Sequence, residues 1–264
     1  HMVKDMMIKW SSLKKNFRYL YRTTLVHASM PHVQIDMSVV RSSREPNTYF
    51  ARSNVLTQPS RYEIEIECVG MESQNMESLN VKKIVQHFKS AIKYILSGIQ
   101  KSPFPVAFPI LEGVKDEYNA LCRTINNIQN PNIRIKPYFM GPSSVTLQPN
   151  NLIKNENDIS IQNGFCVTDK ADGERKLLFI NKKNKAYLID SNLVVSYAGF
   201  RLKGSLKLNN TILDGEHIVT TKSGSTINLF AAFDIYCERV KDLRHMPFIE
   251  DRNYKNSTVS RYEF

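Results

Sequence analysis

Residues 170–175 read Lys170-Ala171-Asp172-Gly173-Glu174-Arg175 and follow the apolar run Phe165-Cys166-Val167. The apolar run predicts a buried strand, which would place Lys170 at a strand end. A lysine that is desolvated among cationic neighbours loses its proton more easily, and its neutral amine can attack phosphorus. Gly173 permits a tight turn against a nucleotide, and the Arg175 guanidinium suits phosphate or ribose oxygens. The stretch predicts a nucleotide site, although a solvated lysine in a turn explains the hexapeptide alone equally well.

Two further strands are predicted downstream, and each carries polar groups. The segment Thr211-Ile212-Leu213-Asp214-Gly215-Glu216-His217-Ile218-Val219 delivers two carboxylates to one edge. The segment Phe230-Ala231-Ala232-Phe233-Asp234-Ile235-Tyr236 has an aromatic residue on either side of two alanines. For His217, an ordinary hydrogen-bond partner is a better interpretation than a metal.

In this order and spacing, the three segments resemble the motifs of the covalent nucleotidyltransferases, which are mRNA capping guanylyltransferases and polynucleotide ligases. The resemblance implies that Lys170 becomes nucleotidylated, that Arg175 contacts sugar and phosphate, and that Glu216 contacts nucleotide or metal. These three are the predicted catalytic residues. One of two phenylalanines would stack on the base, and Phe230 is favoured. The predicted nucleotide-binding residues are Asp172, Gly173, Asp214, Phe230, Phe233 and Asp234.

A row of three glutamates lies far upstream, in Arg61-Tyr62-Glu63-Ile64-Glu65-Ile66-Glu67. The strict alternation puts Glu63, Glu65 and Glu67 on one face of a strand, where like charges repel. A divalent cation removes that penalty, and carboxylate oxygens suit Mg²⁺ or Mn²⁺. These glutamates are the predicted metal ligands.

The glutamate strand resembles that of the triphosphate tunnel metalloenzymes, the RNA 5′-triphosphatases of fungi and large DNA viruses. Residues 17–24 and 32–41 resemble other tunnel strands. On that resemblance Arg18, Arg22 and Arg41 would bind phosphate, and Asp36 would lie on the tunnel wall. A half-exposed strand arginine is nearly as good an account of each of the three.

A triphosphatase joined to a guanylyltransferase is the arrangement of the multifunctional capping enzymes of giant viruses. The resemblance implies removal of the RNA γ-phosphate with Mg²⁺ or Mn²⁺, then transfer of GMP from GTP through a lysyl-GMP intermediate to the 5′-diphosphate RNA end. It implies a cytoplasmic location, in the host cytoplasm or virion, and RNA ends and GTP as substrates. It also implies a methyltransferase domain or subunit in the parent protein.

The predicted fold class is α+β with largely antiparallel sheets. It comprises an incomplete tunnel-like domain at residues 3–130, a linker or lead-in at 131–163, and a nucleotidyltransferase domain at 164–264, incomplete at its C-terminus, that is ATP-grasp-like and of the ligase and capping type. No first Glu-x-Glu strand precedes residue 60, and the C-terminal OB part is not present in the sequence. The chain is therefore predicted to be a fragment. Predicted helices cover residues 81–99 and 114–128, and predicted strands cover 175–181, 185–190, 193–198, 211–219 and 227–236.

Composition favours a partner that is a polyanion. The chain has 264 residues, with 36 basic against 25 acidic side chains and a net charge of +11. Such an excess fits nucleic acid better than a small acidic molecule. Four cysteines among apolar neighbours predict buried thiols in a reducing compartment. No apolar run is long enough to span a membrane.

Three other functions fit parts of the pattern. A polynucleotide ligase would use the same lysine but form lysyl-AMP. A non-catalytic RNA-binding module would form no adduct with either nucleotide. A tunnel phosphatase alone would hydrolyse triphosphate and be indifferent to Lys170→Ala.

Overall fold

The chain divides into two compact units, residues 1–96 and 97–264. The computed structural model describes residues 9–69, 81–128, 130, 137–154, 160–162, 165–202, 207–249 and 260–263. Within these ranges no helix has the length and apolarity that crossing a membrane requires.

The first unit is built on an antiparallel sheet in the order β1-β2-β3, formed by β1 (Arg18–Val26), β2 (Val33–Ser42) and β3 (Arg61–Cys68). Helix α1 (Val81–Gln100) begins and ends within one residue of its predicted bounds. Its Phe88 and Ala91 pack against Ile35 and Ile66, so the helix covers one end of one sheet face, as its apolar periodicity predicts. The described strands form an open sheet, and a closed tunnel stays a prediction.

The second unit contains a six-stranded antiparallel sheet in the order β6-β5-β4-β7-β8-β9. The predicted strands are confirmed, with ends that shift by three residues at most. The alternating apolar residues of these strands face a helix on one side of the sheet, as expected for this fold class. The strands are β4 (Glu174–Ile180), β5 (Lys185–Ile189), β6 (Val195–Arg201), β7 (Thr211–Thr220), β8 (Thr226–Glu238) and β9 (Lys241–Asp242).

Helix α2 (Phe108–Ile125) begins six residues before its predicted start, with Pro109 in its first turn. The predicted inward residues Tyr118, Leu121, Cys122 and Ile125 are all buried. They pack with β4 and β5 in the main apolar core. This helix therefore belongs to the second unit, so the compact units divide earlier than the predicted domains 3–130 and 164–264. In the predicted linker, residues 131–136, 155–159 and 163 lie outside the described part of the chain.

The prediction of a buried strand at 165–167 is wrong. Phe165 and Val167 are exposed, and these residues belong to no strand. Because no neighbouring strand pairs with this segment in the described chain, its apolar side chains have no sheet or core to pack against. Lys170 thus follows an exposed segment without regular secondary structure rather than a strand end.

The prediction that all four thiols are buried holds for Cys122 and Cys237 only. Cys68 ends the edge strand β3 and Cys166 lies in the exposed segment, so both are exposed; all four are free thiols. Burial raises the pKa of Cys122 and of Cys237 to about 11.

Iodoacetamide at about pH 8 should therefore modify Cys68 and Cys166 and leave Cys122 and Cys237 unmodified, because only the thiolate reacts. Peptide mass mapping of the folded chain, with the urea-unfolded chain as a control that labels all four, checks this. Rapid labelling of Cys237 in the folded chain would contradict it.

The same raised pKa values of Cys122 and Cys237 mean that these thiols lose their protons at lower pH in the unfolded chain than in the folded chain. The free energy of unfolding should therefore decline between about pH 9 and 11.

Candidate functional site

An ion pair joins the predicted nucleotide motifs of β4 and β7. Arg175 donates from Nε to Asp214 Oδ1 at 3.1 Å and from Nη2 to Asp214 Oδ2 at 2.5 Å. Asp214 is 0% exposed, and Tyr236 on β8 donates its hydroxyl to Oδ2 at 2.5 Å. The paired carboxylate raises the pKa of Arg175. Burial, followed by the bond to Asp214, raises the pKa of Tyr236.

The same guanidinium holds the segment that precedes the lysine motif. Arg175 Nη1 donates to the Pro142 carbonyl at 2.6 Å, and its Cζ lies 5.5 Å from the Phe139 ring centroid. On the other side, the Phe233 ring lies 6.0 Å from Cζ. We call Arg175, Asp214, Tyr236, Phe139 and Phe233 the Arg175 cluster. Because Arg175 already binds Asp214 and the Pro142 carbonyl, this side chain positions β7 and the segment before the lysine motif.

Gly141 lies so close to this cluster that a side chain does not fit. A Cβ there would lie 2.6 Å from Arg175 Nη2 and 2.9 Å from Asp214 Oδ2. Gly141→Ala should therefore destabilise the chain by about 1–3 kcal/mol, because the bidentate pair must move. Gly113→Ala is the matched control: its Cβ meets nothing within 4 Å in helix α2. That change should stabilise the chain by about 0.5–1 kcal/mol. Urea unfolding measures both, and equal effects of the two changes would contradict the expectation.

A second contact ties the lysine motif to β7. The Gly173 N–H donates to Glu216 Oε2 at 2.8 Å. The register places Arg175 opposite Glu216, and a Cβ on Gly173 would lie 2.8 Å from the His217 carbonyl. The turn therefore requires glycine for close approach to β7. His217 Nε2 lies 2.8 Å from Asn228 Oδ1, which confirms the ordinary partner predicted for it.

The two predicted stacking rings have different surroundings in β8, next to a β-bulge. Asp214 pairs with Asp234, but the next residue, Gly215, pairs with Ala232, so Phe233 is the extra residue of β8. Phe233 is partly exposed beside Arg175, whereas Phe230 is half-buried and packs in a separate apolar cluster. The geometry favours Phe233 over Phe230 as the ring that a base can reach.

Asp234 lies directly across the sheet from Asp214. Burial raises the pKa of Asp234, and the nearby Asp214 charge adds to this, while the Ile235 N–H and Arg261 oppose it. Arg261 Nη1 lies 3.4 Å from Asp234 Oδ2, and the Ile235 N–H donates to Oδ1 at 2.8 Å. Asp234 thus belongs to the polar surroundings of the Arg175 cluster.

Lys170 and Asp172 are both exposed. Among the described residues no ion pair or hydrogen bond engages the Lys170 side chain, so the expected desolvation of this amine is not present. An open pocket of about 550 Å³ lies beside the motif, lined by residues 172–174 and by 217–222 of β7 and its turn. Lys170 does not line this pocket, so the pocket alone does not locate the reacting group.

The first unit gathers a separate set of carboxylates. The register places Glu63 opposite Ser38 and Glu65 opposite Asp36. One carboxylate oxygen each of Asp36, Glu65 and Glu67 lie within 4.8 Å of one another. Asp36, for which the tunnel-family resemblance implies a place on the tunnel wall, is therefore part of the cluster, while Glu63 is paired with Arg18 at 2.5 Å.

The three predicted phosphate-binding arginines do not come together. Arg22 contacts Asp36 at 2.9 Å and Glu65 at 2.5 Å, on the same face as Arg18. Arg41 lies at an odd position of β2, on the opposite face, where it donates to Ser60 Oγ and to the Leu56 carbonyl. These two bonds tie Arg41 to the connection that precedes β3. Arg41 lies on the opposite face because a one-residue shift along a strand reverses the face.

The comparison with protein families decides the assignment. The family described as "mRNA capping enzyme, catalytic domain" matches residues 106–256, more than half of the chain. The chain belongs to this family. The matched residues include α2 and all six strands of the second unit's sheet, and they contain both motifs described above.

Two curated relatives agree with this family. The "Probable mRNA-capping enzyme" of Acanthamoeba polyphaga mimivirus is 28% identical over 232 residues, which are 86% of this chain and 16% of that protein. The "mRNA-capping enzyme" of Danio rerio is 32% identical over 102 residues, which are 37% of this chain and 16% of that protein. The chain thus spans about a sixth of the length of these relatives.

Sequence reasoning did not single out three residues that build the Arg175 cluster or hold the segment at 138–140. Tyr236 was assigned only to a strand, although a tyrosine two residues after Asp234 shares its face. Phe139 lies in a segment that a plain linker explains equally well. Tyr118 was placed in the core, but its hydroxyl also donates to the Tyr138 carbonyl and accepts the Met140 N–H. Tyr236 and Phe139 join the cluster only in three dimensions, through Asp214 and the Arg175 guanidinium, whereas Tyr118 holds the backbone beside Phe139.

Proposed function

We propose that the chain is the guanylyltransferase part of an mRNA capping enzyme, transferring GMP from GTP to the 5′-diphosphate end of RNA. The family membership and the meeting of the two motifs support this. The single observation that carries the proposal is the double connection between β4 and β7: Gly173 to Glu216, and Arg175 to Asp214. These contacts fix Gly173 and Arg175, which closely follow Lys170 in the chain, against the predicted nucleotide-binding strand.

In the proposed reaction, the Lys170 Nζ lone pair attacks the α-phosphorus of GTP. A P–N bond forms, the bond to the β-phosphate oxygen breaks, and pyrophosphate leaves. A β-phosphate oxygen of the RNA 5′-diphosphate then attacks the same phosphorus and releases the lysine amine. The product is a 5′–5′ triphosphate cap, and on the motif resemblance we assign nucleotide contacts to Glu216 and Asp172.

Because Lys170 is exposed, burial in the chain does not activate it. We propose that groups which bind with the nucleotide supply the field that favours the neutral amine. Phe233 is the ring that we assign to the base, because Phe230 is packed into an apolar cluster. Phe230 remains the alternative that the sequence favours.

The choice of nucleotide tests this function against the ligase alternative. The chain should be incubated with α-labelled GTP or with α-labelled ATP, each with Mg²⁺ or Mn²⁺, and analysed by denaturing gel and intact mass. Guanylyl transfer predicts one GMP per chain and no AMP. A stable AMP adduct would favour the ligase, and no adduct with either nucleotide would favour an RNA-binding module.

The first unit favours a second activity, removal of the γ-phosphate from 5′-triphosphate RNA. The specific observation is the gathering of Asp36, Glu65 and Glu67 next to Arg22 and Arg18. Carboxylate oxygens fit a hard cation such as Mg²⁺ or Mn²⁺, which would polarise a phosphate there. Arg22 already pairs with two of the three carboxylates, so the arginine and a cation would share them.

Manganese binding checks this assignment. Asp36→Asn or Glu65→Gln should weaken Mn²⁺ binding by about tenfold or more, because each removes a charged oxygen ligand. Titration followed by electron paramagnetic resonance measures the affinity without reference to turnover. Glu45→Gln, an exposed acid outside the strands, is the matched control and should leave the affinity unchanged. Equal affinities in all four proteins would rule out the site.

A further inference from the structure

The sheet of the first unit separates its side chains into two faces of opposite character. All four of its carboxylates (Asp36, Glu63, Glu65, Glu67) fall on one face. The register places Tyr21 opposite Val39 and Val39 opposite Tyr62, and it places Tyr19 opposite Arg41, all on the other face. We call this second face the tyrosine face. Among the strand residues of β1 to β3 it carries one arginine and no acid.

The tyrosine face is open to solvent where helix α1 does not cover it. Tyr62 is 81% exposed, Tyr21 is 63% exposed and Tyr19 is 42% exposed. Met37 and Ile64 form the next row towards the helix, and both are also exposed. A contiguous apolar and aromatic surface of this kind marks a binding site more often than plain surface.

The net charge of the first unit indicates which kind of partner the tyrosine face attracts. Residues 1–96 carry 14 Lys and Arg against 8 Asp and Glu, a net charge of +6, although four of the acids lie on the opposite sheet face. Helix α1, which packs on the tyrosine face, has no acid in its first turn and contains four lysines without any Asp or Glu. A positive potential on this side attracts a polyanion rather than a second basic copy of the chain.

Tyrosine rings on an open antiparallel sheet match the chemistry of unpaired bases. Such rings offer a flat surface with little rotamer entropy to lose, and bases splayed from a single strand stack on them. We propose that the tyrosine face binds single-stranded RNA through stacking on Tyr21 and Tyr62, with Tyr19 at the edge of the row. This inference extends the proposed function, since RNA is its substrate, and it is tested apart from guanylyl transfer.

The test measures binding of a fluorescein-labelled, 5′-hydroxyl RNA of about twelve nucleotides by fluorescence anisotropy. Tyr21→Ala and Tyr62→Ala should each weaken binding by roughly 5- to 150-fold, the range for loss of one base stack. Tyr21→Phe and Tyr62→Phe keep the ring and should bind within about twofold of the native chain. Tyr94→Ala is the matched control, because Tyr94 is 65% exposed on helix α1.

Three results would overturn the proposal. One is native affinity in both alanine variants. Another is an equal loss in Tyr94→Ala, which would mean that the loss does not depend on a ring on the tyrosine face. The third is a native dimer in sedimentation velocity that the alanine variants disrupt, which would assign the face to a second copy. Circular dichroism confirms folding, and if one alanine variant unfolds, the alanine variant at the other tyrosine still decides the test.

The outcome is separable from that of guanylyl transfer. Formation of lysyl-GMP from GTP needs no RNA, so Tyr21→Ala and Tyr62→Ala should form the adduct at the native rate. Loss of RNA binding in these variants supports the tyrosine face even if the native chain forms no adduct. Conversely, a normal adduct with unchanged RNA affinity rejects the tyrosine face alone.

Discussion

Lys170→Ala should form no covalent adduct with GMP. The proposed reaction joins the phosphorus to Lys170 Nζ, and the methyl group of alanine offers no nucleophile. Lys170→Arg should fail equally, because a guanidinium stays protonated at every pH at which the chain is folded. Intact mass after incubation with GTP measures the adduct directly. Loss of a charge-stabilising donor elsewhere typically costs about 10²–10³ in rate, so complete loss distinguishes the nucleophile from its helpers.

Lys182→Ala is the control for this prediction. Lys182 is exposed in the turn between β4 and β5, on the same sheet but away from the two motifs. Its replacement should leave the adduct intact and matches Lys170→Ala in charge and size. If Lys170→Ala still gained one GMP, another nucleophile would carry the reaction and the motif resemblance would have misplaced it.

Asp214→Asn should cost about 3–5 kcal/mol in the free energy of unfolding. Asp214 is fully buried and accepts two bonds from Arg175 and one from Tyr236. A neutral amide leaves the guanidinium without its counter-charge and loses one acceptor. Urea unfolding followed by far-ultraviolet circular dichroism measures the lost free energy of unfolding. A cost under about 1 kcal/mol would show that the pair is not energetically coupled to the fold.

Glu174→Gln provides the matched comparison, because Glu174 also pairs with a cation on β4. Its carboxylate lies 3.0 Å from Lys176 Nζ, but its side chain is 79% exposed. Solvent screens such a pair, so the change should cost about 0–1 kcal/mol. The double variant Arg175→Met with Asp214→Leu should recover much of the loss, since removal of both charges leaves no uncompensated ion.

The regular elements of the second unit were predictable because each has a strong local pattern. Strands such as Thr211–Thr220 combine β-branched residues with short apolar runs, and helix α1 has apolar residues at helical spacing. The segment 165–167 has the same apolar composition and forms no strand. A strand needs a partner as well as a pattern, and the partner is not encoded within three residues.

The candidate site was predictable as a set of motifs but not as an arrangement. The sequence identified Arg175, Asp214 and Glu216, yet their contacts depend on the β4–β7 register and on the bulge at Phe233. Phe230 and Phe233 are three residues apart, so alternation alone predicts opposite faces, but no local signal announces the extra residue in β8 or shows which face carries Arg175. Arg41 and Asp36 are five residues apart in β2, so alternation was also a signal that Arg41 does not share the face of Asp36.

The hydrogen bond between Gly173 and Glu216 offers a way to detect whether a ligand is bound at Glu216. The Gly173 amide proton is held by Glu216 Oε2. A ligand that displaces the Gly173 amide from Oε2 would expose its proton to solvent, and the exchange of that proton would then accelerate. The exchange rate of this one amide proton, measured by nuclear magnetic resonance, therefore shows whether Glu216 Oε2 is bonded to the chain or to a ligand.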